Sequence, residues 1–135
     1  MEYTSVLTTC TYCGCGCNFY LENVDGRLTG TIPCKTSPVN QGRLCIKGWN
    51  AHEFVQSDKR LTSPLVRKDG QLVPVSWEEA LEYTASQLSA IRSESGPDSL
   101  AFLASAKVTN EENYVLQKFA RAAVGTNNID HCARL

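Results

Sequence analysis

Six of the seven cysteines in this 135-residue chain fall at or before Cys45. The densest run is Cys10-Thr11-Tyr12-Cys13-Gly14-Cys15-Gly16-Cys17. Taking Cys10, Cys13, Cys17 and Cys45 together gives the pattern C-x2-C-x3-C-x27-C. Several thiolates from one tight loop plus one from elsewhere in the chain is a common way to hold an iron–sulfur cluster. Three ligands so close together need a sharply wrapped backbone. Gly14 and Gly16 suit that wrapping, because glycine tolerates positive φ and lets backbone amides approach the cluster sulfurs. Such N–H···S bonds also help set a reduction potential. The spacing therefore reads as a 4Fe–4S site. Two alternatives stay open on the residues alone. One is a zinc-stabilised module, although a structural zinc site usually takes two C-x2-4-C knuckles and only one is evident. The other is a set of unliganded thiols, which at this density would be an oxidation liability. Cys15 alternates with Cys13 and Cys17, so a tight turn is expected to point it away from the metal. Cys34, between two turn signals, reads as a small packed residue.

Charge around Cys45 is one-sided. No acid lies between Asp25 and Glu53, whereas Arg27, Lys35, Arg43 and Lys47 are all basic. A solvated loop accounts for this as well as a positive surface facing an anionic cluster or a phosphate-bearing cofactor. Lys47, two residues past Cys45, is the best placed to touch both. The chain as a whole carries a net charge of −1, which argues against a nucleic-acid binder relying on a basic field. No apolar run approaches the ~20 residues of a membrane helix. The start, Met1 to Ser5, has neither a basic n-region nor an apolar h-region, so no secretory signal is expected and the cytoplasm is the expected compartment. Clustered thiols in a reducing compartment bind metal or do redox work more often than they form disulfides.

The elements that must position these residues fall into two parts, 1–60 and 61–135. In the first, Val6-Leu7-Thr8 reads as a strand leading into the cysteine loop. Phe19-Tyr20-Leu21 and Arg27-Leu28-Thr29 flank the hairpin signal Asp25-Gly26, and 33–50 reads as mostly loop. In the second, Asp69-Gly70 marks another hairpin. Ser76 and Glu79 form a capping box opening a helix with Trp77, Leu81, Thr84, Ala85, Leu88 and Ile91 at helical spacing, stopped by Gly96-Pro97. Ser99 to Ala104 is expected to be a short buried strand with no visible parallel neighbour. Thr109 and Glu112 open a second helix, with Val115, Leu116, Phe119, Ala122 and Ala123 on its apolar face. The expected class is α+β: a small β-rich cluster domain followed by the beginning of an α/β domain.

Several stretches together carry a resemblance: the cysteine set, Asn40-Gln41-Gly42-Arg43-Leu44-Cys45-Ile46-Lys47-Gly48-Trp49, Pro74-Val75-Ser76-Trp77-Glu78-Glu79-Ala80-Leu81, and Gln117-Lys118-Phe119-Ala120-Arg121. They resemble the N-terminal region of molybdopterin oxidoreductase catalytic subunits over essentially the whole chain. The segment from Gly125 to Leu135 narrows the likeness to formate dehydrogenase alpha subunits. The resemblance implies that Cys10, Cys13, Cys17 and Cys45 bind one 4Fe–4S cluster and that Cys15 does not. Lys47 matches the lysine between that cluster and a pterin of a bis-molybdopterin guanine dinucleotide cofactor carrying molybdenum or tungsten. The implied reaction is formate oxidation or carbon dioxide reduction at that metal, with electrons passing through the cluster. The implied partners are the remainder of the catalytic subunit and iron–sulfur electron-transfer subunits. A free-standing 4Fe–4S electron-transfer subunit from a split gene is the alternative.

One departure from the family pattern matters. In formate dehydrogenases of this kind the Cys-Ala-Arg segment is followed by a metal-ligating selenocysteine or cysteine, then a histidine. Here the sequence stops at Leu135, so the expectation is a UGA selenocysteine codon directly after it and an isolated chain with no activity of its own. No catalytic residue is assigned within the chain. Cys132 is expected to be structural, His131 is not the family's catalytic histidine, and His52 reads as packed or surface-exposed.

Overall fold

The computed structural model describes residues 1–132. The chain divides into two compact units: Met1–Arg60 together with Ser105–Tyr114, and Leu61–Ala104 together with the residues from Val115 onward. The fold is mixed α and β, with seven strands and three α-helices among the described residues.

The first unit is built on a three-stranded antiparallel meander of β1 (Tyr3–Thr9), β2 (Asn18–Val24) and β3 (Arg27–Pro33). Asp25 and Gly26 both take positive φ, 49° and 82°, the geometry of a two-residue turn whose twist matches its flanking strands. A bulge between Glu22 and Asn23 shifts the register of β2 against β3. The core is small: Cys10, Phe19 and Ala51 are buried, with Tyr12, Cys17, Leu21 and Leu44 packed against them. After β3, residues 34–50 are loop apart from one turn of helix, α1 (Ile46–Trp49). The buried Thr31 hydroxyl on β3 fixes that turn by donating to the carbonyl oxygens of Gly48 and Trp49.

In the second unit β4 (Leu65–Lys68) and β5 (Gln71–Pro74) form a hairpin about Asp69 and Gly70, again both at positive φ. Helix α2 (Trp77–Ser95) starts as expected, with the Ser76 hydroxyl accepting from the Glu79 amide at 3.1 Å. The return half of the box is absent, because the Glu79 carboxylate pairs with Lys68. Gly96, at φ 81°, ends the helix.

Strand β6 (Phe102–Ala104) differs from expectation in two ways. Its central residue, Leu103, is 81% exposed rather than buried. It also has a parallel neighbour, β7 (Ile129–His131), paired Phe102 to Ile129 and Ala104 to His131. That pairing is set by side chains rather than by an apolar run: the Thr126 hydroxyl donates to Asp98, and the Asn128 amide donates to the Asp98 carbonyl.

Helix α3 (Asn110–Lys118) opens with a complete capping box. The Glu112 amide donates to the Thr109 hydroxyl, and the Glu112 carboxylate accepts from the Thr109 amide. Its continuation, Phe119–Val124, is a π-helical segment closed by Gly125 in the left-handed region.

Candidate metal centre

Strands β1 and β2 deliver the two ends of the cysteine loop. The Cys10 amide donates to the Cys17 carbonyl at 2.7 Å, which closes the loop at its base. Gly16, at φ 69°, supplies a left-handed turn inside it; Gly14 does not adopt that conformation. Cys10 is buried, Cys13 and Cys17 are half-buried, and Cys15 is exposed.

The sulfurs sense one another. Burial pushes the Cys17 thiol up from its ordinary value, and the charges of Cys10, Cys13 and Cys45 push it further. The Cys15 thiol is raised chiefly by its hydrogen bond to Cys13, then by the charges of Cys13, Cys17 and Cys45. The four predicted ligands thus share one electrostatic neighbourhood, where each added thiolate raises the cost of the next and a bound cation relieves it. Among the described residues, no three His, Cys, Asp or Glu side chains converge closely enough to hold a single metal ion.

Cys45 comes from a separate segment of the chain and behaves differently. It precedes α1, and its thiol is held below the ordinary range first by the Gly48 amide, then by the Lys47 amide, with the Lys47 charge adding to both. Gly48 is buried, and a Cβ there would stand 3.1 Å from the Leu44 side chain, so the turn needs glycine for close approach. Lys47 itself lines an open depression of ≈ 440 Å³ with Tyr12, Ile46, Asn50, Glu53, Phe54 and Ser57. Of the other basic residues, Arg27 faces a separate depression beside His52. Lys35 folds over Gly42, where a Cβ would meet its Cγ at 3.2 Å.

Asn40 plays a part that spacing alone does not reveal. Buried at 8% exposure, it accepts from the Asn18 amide at 2.9 Å and donates to the carbonyls of Asn18 and Arg43. Asn18 directly follows Cys17, and Arg43 lies two residues before Cys45. One side chain therefore ties together the two segments that carry the predicted ligands. Its only sequence signal is an asparagine in a Pro- and Gly-punctuated loop.

The remaining candidates stand apart. Cys34 is buried, and its thiol is lowered mainly by the Thr36 hydroxyl, opposed by burial and assisted by Tyr20. Cys132 is exposed. His52 is half-buried with an Nδ1 lacking a hydrogen-bond partner. Ala133, Arg134 and Leu135, on which the expectation about a following selenocysteine rests, lie outside the described residues.

Comparison with known proteins places this geometry among relatives. Residues 3–57 match the family model of the molybdopterin oxidoreductase Fe4S4 domain, and residues 60–135 match that of molybdopterin oxidoreductase. The chain is 52% identical over its whole length to the alpha subunit of an F420-dependent formate dehydrogenase of Methanococcus maripaludis, covering 19% of that protein. It is 49% identical, again over its whole length and 19% of the relative, to the corresponding subunit of Methanocaldococcus jannaschii. Among solved structures, acetylene hydratase from Pelobacter acetylenicus superposes with a TM-score of 0.66 at 26% identity, over 93% of this chain and 18% of that one. The chain thus spans about a fifth of the length of the curated relatives it matches.

Proposed function

Because the chain belongs to the molybdopterin oxidoreductase family, we propose that it is the cluster-bearing part of a formate dehydrogenase alpha subunit. Cys10, Cys13, Cys17 and Cys45 hold one 4Fe–4S cluster within residues 1–60, and residues 61–135 contribute to the domain that holds the molybdopterin cofactor. The observation that carries the reading is geometric: the Cys10 amide closes the three-cysteine loop on the Cys17 carbonyl, and Asn40 ties the segment after Cys17 to the one before Cys45. The resident cluster supplies one-electron transfer, and the whole protein interconverts formate and carbon dioxide at a molybdenum or tungsten centre.

The residues of this chain shape that transfer. The amides of Gly48 and Lys47 lower the Cys45 thiol from its ordinary value, in the direction that favours the thiolate form that binds iron. Tyr12 meets Phe54 edge to face, with ring centroids 5.8 Å apart, and the Arg60 guanidinium lies 5.4 Å from the Phe54 ring. Lys47, facing the depression beside Tyr12, is positioned to meet the anionic groups of a pterin cofactor. The apolar side chains left open on α2, Trp77 and Leu81 among them, are the surface that the rest of the subunit covers. Iron–sulfur subunits receive the electrons, in the cytoplasm.

Anaerobic reconstitution of the chain with iron and sulfide tests this reading. The expected product is brown and holds close to stoichiometric cluster. Cys45→Ala loses it, whereas Cys15→Ala keeps it. A colourless chain that retains zinc instead would overturn the assignment in favour of a zinc module. Formate-dependent dye reduction is expected from the complete enzyme and not from this chain alone.

A further inference from the structure

The cysteine loop has a contact that neither its spacing nor the family comparisons assign. Asn110, the first residue of α3, donates from Nδ2 to the Gly14 carbonyl at 2.9 Å, across 96 residues of sequence. The carboxamide lies against the Gly14 backbone: a Cβ at Gly14 would overlap Asn110 Oδ1 and stand 3.0 Å from its Cγ. Gly14 does not sit in the left-handed region, so what it provides is room for this close approach rather than unusual φ. Residues 105–114 belong to the same compact unit as the loop. The capping box of Thr109 and Glu112 fixes the start of α3, and Asn113 donates to the Ser105 carbonyl at 3.1 Å. Asn110 is thus presented from a braced platform.

We infer that Asn110 is a positioning residue that clamps the Gly14–Cys15 peptide and holds the cysteine loop in its ligand-ready form. A trans peptide directs its carbonyl and its amide to opposite sides, and no peptide bond in the described chain is cis. With the Gly14 carbonyl held by Asn110, the Cys15 amide is turned to the other side and cannot rotate freely. Cys15 lies between the predicted ligands Cys13 and Cys17 in the sequence, so the clamped peptide is flanked by both. Backbone amides around ligand sulfurs are among the groups that tune a cluster. This part of the inference rests on the 4Fe–4S assignment; the clamp itself does not.

Two readouts on the full chain separate them. In the metal-free chain, Asn110→Ala should raise hydrogen exchange at Cys15 and Gly16 roughly fivefold, the factor expected for one net hydrogen bond. Gly14→Ala should do the same, because its methyl displaces the carboxamide. The double variant should be no worse than either single one, since both remove one contact. After anaerobic loading with iron and sulfide, Asn110→Ala should retain its cluster content but show a shifted midpoint potential and altered paramagnetic resonance signals. Unchanged exchange in Asn110→Ala, additive effects in the double variant, or an unaltered potential and spectrum would each overturn the inference. Failure of the unsubstituted chain to take up a cluster would instead strike the 4Fe–4S assignment, with the exchange measurement still deciding on the clamp.

Discussion

Both units leave large apolar side chains open, Ile46 and Val6 in the first and Trp77 and Leu81 in the second, but they differ in what they bury. In the first, Phe19 is 2% exposed and packs with Cys10 and Ala51 beneath the cysteine loop, and the polar side chains of Thr31, Ser37 and Asn40 are buried with partners. In the second, the buried residues include the modest Val66, Ala120, Val124 and Thr126, while Trp77, Leu81 and Leu103 are 71%, 63% and 81% exposed. Both units have well-formed turns and helix starts. Local chemistry therefore suffices to form elements, whereas among the described residues only the first unit fully buries a large apolar side chain, Phe19. The loop that needs sub-ångström placement of ligands is on the unit that does so.

The largest effect expected from this contrast comes from one truncation on each side. Phe19→Ala removes the largest fully buried apolar side chain and should cost about 3–5 kcal/mol in urea unfolding. Trp77→Ala, despite deleting a larger ring, should stay within about 0.5 kcal/mol in this chain. Equal costs would mean that the exposed face of α2 is packed in solution, and the contrast would fail.

A subtler variant probes the polar half of the first unit. Asn40→Ala removes three hydrogen bonds and strands the Asn18 amide and the Arg43 carbonyl, while the Asn18 carbonyl keeps the Cys34 amide. It should cost about 2–3 kcal/mol. Because the lost bonds join the Cys17 and Cys45 segments, the reconstituted variant should also bleed iron faster than Phe19-intact variants of equal stability. A loss of stability with unchanged iron retention would show that Asn40 serves folding only.

The same contrast explains which features the sequence made legible. Asp25-Gly26 and Asp69-Gly70 announce their turns because positive φ at both positions is a property of two adjacent residues. Ser76 and Thr109 announce helix starts because a cap satisfies amides within three residues. The cysteine spacing is equally local up to Cys17. Contacts that join distant segments carry no such mark. Asn110 meets Gly14 across 96 residues, and β7 finds β6 through Asp98, Thr126 and Asn128 rather than through hydrophobic pattern. Leu103 looks like core by composition, yet it is exposed because no described residue covers it. Glu79 reads as half of a capping box, yet Lys68 on the neighbouring hairpin outcompetes the backbone for its carboxylate.

That last difference sets up the smallest effect, a test of two helix starts by pH. Glu112 accepts from both the amide and the hydroxyl of Thr109, and the amide bond is the main reason its carboxyl is held below the ordinary glutamate value. A group whose folded pKa is depressed contributes stability that is present above its unfolded pKa and is lost as pH falls through the folded one. Acid should therefore loosen the start of α3, seen as faster hydrogen exchange at Asn113 and Tyr114, and Glu112→Gln should remove that pH dependence. The α2 start has a different response, because its cap is a neutral Ser76 hydroxyl and its glutamate faces Lys68 instead of the backbone. Both carboxylates are exposed, so neither change should unfold the chain. The α3 start nevertheless presents Asn110, so exchange at Cys15 should rise over the same acid window as exchange at Asn113. Loosening of α3 without any response at Cys15 would break the mechanical link between the capping box and the cysteine loop.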